Sequence, residues 1–252
     1  MIVETHVHLC DEKYDADRAE VLKRANDAGV VKFLNIGAEL KEVRLIAGLE
    51  IVNVYKAMGL HPHNAHEFTN EVYDEIKGYF KAQKNAVAVG EIGLDYYKST
   101  TPKELQEKVF RAFLDMAKEL DLPVAIHSRE AFDNVYAILK EYNIRKRGVI
   151  HCFTGDALNA KRFTQMGYML GIGGVITYPN AETLRNAIAD IPLEWLVLET
   201  DAPWLAPQTE RGKRNEPAYL GHIAQALARV KNVSVEEVEN VTTENAENLF
   251  NI

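Results

Sequence analysis

The amino-acid sequence alternates, eight times over, between a short β-branched apolar run and a longer stretch with helical spacing. The runs are IVETHVHL (2–9), VVKFLNIG (30–37), NVYKAMGL (53–60), AVAVGEIG (86–93), LPVAIHS (122–128), RGVIHCF (147–153), YMLGIGG (168–174) and WLVLETD (195–201). Runs of this length bounded by turn residues read as strands, and the intervening stretches, such as 15–29, 101–121 and 180–191, read as helices. Asp15, Thr101 and Asn180 stand where N-caps belong, and Pro102 suits a first helical turn. Strand then helix, eight times in succession, predicts a (β/α)8 TIM barrel occupying 1–252 as a single domain; an open doubly wound sheet is the rival. The end of the chain, 233–252, predicts two short capping helices that begin at Ser234 and Thr243.

The remaining bulk properties exclude more than they select. A chain of 252 residues that is 47% hydrophobic can bury a large core. Its formal charge of −8 argues against coating nucleic acid through many phosphate contacts, which need an excess of lysine and arginine. Cys10 and Cys152 match neither a disulfide framework nor a C-x-x-C zinc spacing, so free thiols in a reducing compartment are expected. No basic leader and no run of 18 apolar residues stands in the sequence, and the expectation is a cytoplasmic protein that meets no membrane and needs no obligate protein partner.

Polar residues inside the apolar runs carry the functional signal. Buried parallel strands should be almost wholly apolar, yet five of the eight end in a ligand-type residue: His6 and His8, Glu91, His127, His151 and Asp201. His6 and His8 are one residue apart, so on a strand both imidazoles point the same way. In a barrel the C-terminal strand ends form one rim, which would bring all six side chains around a common point. A lone buried histidine is commonly a satisfied core residue. Four imidazoles and two carboxylates together would be very costly to desolvate unless a cation paired them, and a divalent metal centre does so.

The ordered series THVHL, GLHPH (59–63), GEIGLDYY (90–97), HSREA (127–131), HCFTGD (151–156), LETDAPWLAP (198–207) and RGKRNEPAYL (211–220) resembles the TatD family of metal-dependent deoxyribonucleases, within the amidohydrolase-like TIM barrels. The resemblance runs from near the first residue to about residue 250. Family members usually begin DTH and often carry Asp soon after the second histidine, where this chain has Glu4 and Cys10. The resemblance implies two divalent ions per chain: one on His6, His8 and Asp201, a second on His127 and His151, with Glu91 bridging. Nitrogen and carboxylate donors with open positions suit Zn²⁺, Mn²⁺, Ni²⁺ or Fe²⁺, and a partly hydrated site can use Mg²⁺. Asp201 is the expected general base.

Candidate substrate contacts flank these ligands in the sequence. His61 and His63 repeat the spacing of the opening pair and compete with it as metal ligands, but Pro62 between them favours a loop touching substrate phosphate. Asp95, Tyr96 and Tyr97 follow Glu91 over the same face, where an aromatic ring stacks on a base or anchors its loop. Arg129 lies two residues past His127 and is a candidate phosphate clamp, with a surface salt bridge as the plainer reading. Arg211, Lys213 and Arg214 form a basic concentration after the eighth strand, where barrels often bind phosphate. The Arg-Lys-Arg run 145–147 falls on the opposite face, Trp204 reads as a packed wall, and His66 and His222 as ordinary surface histidines. The Gly-rich GIGG (171–174) allows a close approach but is weak evidence for phosphate.

The leading expectation is a dinuclear hydrolase that trims single-stranded DNA from its 3′ end. Two ions would bring the charge from −8 to about −4, so affinity must come from a few contacts at a strand end. The alternatives are a metal-dependent amide or ester hydrolase, deacylation of mischarged tRNA included, and a barrel that keeps its metals for stability and serves as a binding scaffold.

Overall fold

The computed structural model describes residues 1–97 and 99–252. Eight parallel strands follow one another round the sheet in chain order: β1 (Ile2–Val7), β2 (Val30–Gly37), β3 (Val54–Met58), β4 (Ala86–Asp95), β5 (Val124–Arg129), β6 (Gly148–Ile150), β7 (Met169–Ile172) and β8 (Leu196–Leu198). The ring closes through a parallel bridge from Val7 to Ala202, where His8 N–H donates to Ala202 O and Asp201 N–H donates to His6 O. Helices α1 (Arg18–Asp27), α2 (Leu40–Gly48), α3 (Asn70–Ala82), α4 (Lys103–Leu120), α5 (Phe132–Glu141), α6 (Ala157–Gln165), α7 (Glu182–Ala189) and α8 (Leu220–Lys231) surround it, and α9 (Val235–Phe250) follows. The fold is a TIM barrel, and the open-sheet rival is excluded by the β1–β8 junction.

The apolar side chains divide by strand face, as the period of two requires. Val3, Leu34, Ile36, Ala57, Ala88, Ala125, Val149 and Val197 fill the barrel interior, and Ala246 and Phe250 of α9 pack into the same cluster. The opposite faces pack outward against the helices in a larger cluster. Because the C-terminal helix occupies one end of the interior, the rim carrying the histidines is the end left for chemistry.

Several local expectations are corrected. The stretch 233–252 carries one continuous helix, Val235–Phe250, rather than two: Ser234 caps it by accepting from Glu237 N–H, whereas Thr243 lies inside it and donates to Met1 O. Helix α1 begins after Asp17 rather than Asp15, α4 after Pro102 rather than Thr101, and α7 after Ala181 rather than Asn180. Thr101 instead donates its hydroxyl to His63 O, a tertiary bond that no local pattern announces. The glycine run serves packing. A Cβ at Gly171 would stand 2.2 Å from Glu199 Oε2, and one at Gly174 would stand 2.2 Å from Leu205 O.

Candidate metal centre

The six expected ligands converge on Glu91. His6 lies within β1, Glu91 within β4 and His127 within β5, while His8, His151 and Asp201 stand one to three residues past their strands. The two oxygens of Glu91 face different groups. Oε2 lies 3.5 Å from His6 Nε2 and 3.8 Å from His8 Nε2. Oε1 lies 2.8 Å from His127 Nδ1, 3.6 Å from His151 Nε2 and 3.8 Å from His61 Nε2. Asp201 Oδ1 completes the first group at 3.4 Å from His8 and 3.9 Å from His6, and lies 3.9 Å from His151.

The charge states follow from burial set against neighbours. Desolvation alone would depress His8 and His151. For His8 the hydrogen bond and charge of Asp201 and the charge of Glu91 outweigh it and raise the imidazole to about 9. For His151 the charges of Glu199, Glu91 and Asp201 raise it to about 10. Burial would raise Glu91 and Asp201, but the surrounding imidazoles hold both below the usual carboxylate range. His6 and His61 stay neutral, burial being the main cause, and His61 falls to about 3. The carboxylates of the cluster therefore draw positive charge, as protons or as metal ions.

The donor set fits divalent cations. His6, His8 and Asp201 present ligand atoms within 4.8 Å of one another, as do His61, Glu91 and His127, and also His151, Cys152 and Asp201. Both ring nitrogens of the fully buried His6 lack a hydrogen-bond partner among the described residues, which is the condition a cation would relieve. Neutral imidazole and ionised carboxylate are the ligand forms such an ion needs.

A family model described as TatD related DNase matches residues 3–251. The chain belongs to the TatD-related DNase family. It is 40% identical to an uncharacterized metal-dependent hydrolase, YabD, of Bacillus subtilis (strain 168), with all of both chains covered. It is 35% identical to a Pantoea vagans protein named 3′-5′ ssDNA/RNA exonuclease TatD, over 98% of each chain. The crystal structure of the TatD homologue YJJV from Escherichia coli K12 superposes with a TM-score of 0.95 at 33% identity, covering 100% of this chain and 98% of that one. Like its TatD relatives, this chain is a metal-dependent hydrolase.

The two departures of this TatD-family chain lie behind the expected ligands. Glu4 is fully buried and accepts from the backbone N–H groups of His6 and Thr200, tying β1 to the segment that carries Asp201. Burial raises its carboxyl to about 8. Cys10 is buried, with Asn35 Nδ2 3.6 Å from its sulfur, while Asn35 Oδ1 accepts from Leu9 N–H. Glu4 thus bonds the backbone of His6, and Asn35 links Cys10 to the backbone of Leu9, next to His8.

Glu199 is a site residue that the sequence reading missed. Its Oε1 lies 2.9 Å from His151 Nδ1 and accepts from Cys152 N–H. An acidic residue inside the apolar run WLVLETD is the same signal that marked Glu91, so it was there to be found. Asn215 is a second such residue. Its side-chain amide donates to Thr200 O and Trp204 O, bracing the loop that carries Asp201.

The expected substrate contacts separate into two groups. His61, His63, Asp95 and Arg129 line clefts that open on the histidine and carboxylate cluster, with Asp95 Oδ2 3.0 Å from His63 Nε2 and 3.3 Å from His127 Nε2. Tyr96 turns away: its hydroxyl donates to Glu107 and Lys103 covers its ring, so it anchors its loop to α4. Arg214 is held by Asp17 and Glu216, Lys213 by Glu210, and Arg211 stacks on Tyr178; none of the three lines either cleft. Trp204 is half exposed rather than a packed wall.

Proposed function

We propose that this chain, acting as one catalytic unit over 1–252, removes mononucleotides from the 3′ ends of single-stranded DNA with the help of two divalent ions. The observation that carries the reading is the orientation of Glu91, whose two oxygens address separate groups of imidazoles. His6, His8 and Asp201 would hold one ion, His127 and His151 the other, with Glu91 reaching both. When bound, such ions supply Lewis acidity, which makes water a nucleophile at neutral pH and offsets the charge of the phosphate.

Asp201 is the proton carrier. Its carboxylate is ionised and partly open to solvent, so it accepts a proton from the attacking water. The water oxygen bonds to phosphorus as the bond to the 3′ oxygen of the preceding nucleotide breaks. That oxygen takes the proton, and a 5′-mononucleotide leaves a strand one unit shorter. Arg129, together with His61 and His63, orients the phosphate. The name of the Pantoea vagans relative supports both strandedness and direction.

The test is release of mononucleotides from end-labelled single-stranded DNA by the purified chain with Mg²⁺, Mn²⁺ or Zn²⁺ restored, repeated with Glu91→Ala and Asp201→Asn. Loss of activity in both variants with folding preserved is expected; unchanged activity in both would sink the mechanism. A second reading, hydrolysis of a carboxylic ester or amide such as the aminoacyl bond of mischarged tRNA, draws on the scarcity of cations near the centre. Arg129, Lys13 and Lys41 are the lysine and arginine residues that line the two clefts among the described residues. A parallel assay on aminoacyl esters and amides discriminates the two.

A further inference from the structure

Two clefts of unlike character meet at the metal centre. The first, about 640 Å³, is lined beyond the centre by Asp11, Glu12, Asp15, Glu39 and Glu42, against only Lys13 and Lys41. The second, about 650 Å³, is lined by Ser128, Arg129, Thr154, Val175, Trp204 and Leu205. His61, His63, His127, His151, Asp201 and Trp204 line both, so Trp204 stands at their partition.

The Trp204 indole is half exposed. The Lys13 ammonium lies 2.9 Å from the ring centroid, and Lys13 lines the first cleft but not the second. Arg129, which also lines the second cleft, has its guanidinium carbon 4.2 Å from the centroid of the Tyr97 ring. Tyr97, Trp204 and Leu205 are among the few large apolar side chains left exposed. A cleft that combines exposed aromatic surface with an arginine has a chemical complement, a flat heteroaromatic ring.

We propose that the second cleft is a nucleobase subsite: the strand reaches the metal centre through it, with a base flanking the scissile phosphate seated between Trp204 and Leu205 on one side and Arg129 on the other. This rests on the nuclease reading and names the part of the substrate that the site recognises apart from phosphate. The acidic first cleft repels a polyanion, so the strand is directed to the side where Arg129 supplies positive charge. Every base offers a π-face, so the subsite holds the strand without reading its sequence.

Trp195 and Trp204 are the chain's two tryptophans, and Trp195 lies in the turn before β8, outside both clefts. In a Trp195→Phe background Trp204 becomes the sole indole emitter. This protein, stripped of metal with EDTA, is titrated with a thymidine pentanucleotide and with an abasic deoxyribose-phosphate pentamer of equal charge. Saturable quenching by the base-bearing strand alone is expected. In the metal-loaded protein, Trp204→Ala should raise KM for single-stranded DNA by about 5- to 100-fold with kcat little changed, the range that one lost base stack corresponds to. Equal quenching by both strands, or an unaltered KM in Trp204→Ala, overturns the subsite. Base-dependent quenching without hydrolysis under any ion keeps the subsite and removes the nuclease reading, so the two fail separately.

Discussion

His151 Nδ1 and Glu199 Oε1 lie 2.9 Å apart, with both side chains shut away from solvent. A carboxylate behind an imidazole fixes the ring's orientation and leaves the other nitrogen directed at the centre, here His151 Nε2 toward Glu91 and Asp201. Glu199→Gln keeps the shape and removes the charge. We expect metal affinity to fall about 10- to 100-fold, the usual consequence of losing such a partner, with the circular dichroism spectrum unchanged. Chelator competition measures it, and unaltered affinity would reduce Glu199 to a packing role.

Metal uptake should depend steeply on pH. In the metal-free protein His8 and His151 hold protons until about pH 9 and 10, and an ion must displace them. Affinity therefore rises as pH increases from 6 toward 9, and binding at pH 7 releases protons. Both groups have folded values above the ordinary imidazole value. Their contribution to metal-free stability is fully present below that value and is lost as pH climbs through about 9 to 10. Calorimetry in buffers of different ionisation enthalpy counts the protons; none released at pH 7 would contradict the assignment.

Glu4 makes a separate pH signature. Its carboxyl loses its proton near 4.5 when unfolded and near 8 when folded, so its contribution to stability is full below 4.5 and is lost as pH rises to about 8. Glu4→Gln retains an acceptor for the His6 and Thr200 N–H groups and cannot ionise. The variant should gain on the wild type between pH 5 and 8, by on the order of 3 kcal/mol. Urea unfolding of metal-free protein at the two pH values checks this, and parallel curves for the two proteins would refute it.

Arg214 should matter to stability and little to substrate. It joins Lys13 O, Asp17 and Glu216 in a network that also includes Arg24 and ties the loop after β8 to α1. The residues are partly exposed, so the gain is modest, about 1 kcal/mol. Arg214→Ala is expected to lower Tm by roughly 2 to 4 °C and leave KM for single-stranded DNA within about twofold. Arg129→Ala should do the reverse. A large KM effect at Arg214 with none at Arg129 would place the phosphate contacts after β8 instead.

The amino-acid sequence determined the architecture and marked the histidines and carboxylates that gather at the rim because both are written in local pattern. Strand and helix periods alternate without interruption, and a histidine or carboxylate inside an apolar run stands out whatever surrounds it, as His6, Glu91 and His127 do. What only the tertiary structure decided depends on which atoms meet across the barrel. Arg214 and Arg129 look alike in sequence, yet one faces Asp17 and Glu216 and the other a cleft beside His127. Thr243 has the composition of a cap but sits in a continuous α9, because packing of Ala246 and Phe250 into the barrel interior favours an unbroken helix. The division of Glu91 between two imidazole groups, and of the rim between an acidic and an aromatic cleft, arises from contacts between residues far apart in the sequence. No local spacing encodes those distances, since ring closure between β1 and β8 sets them.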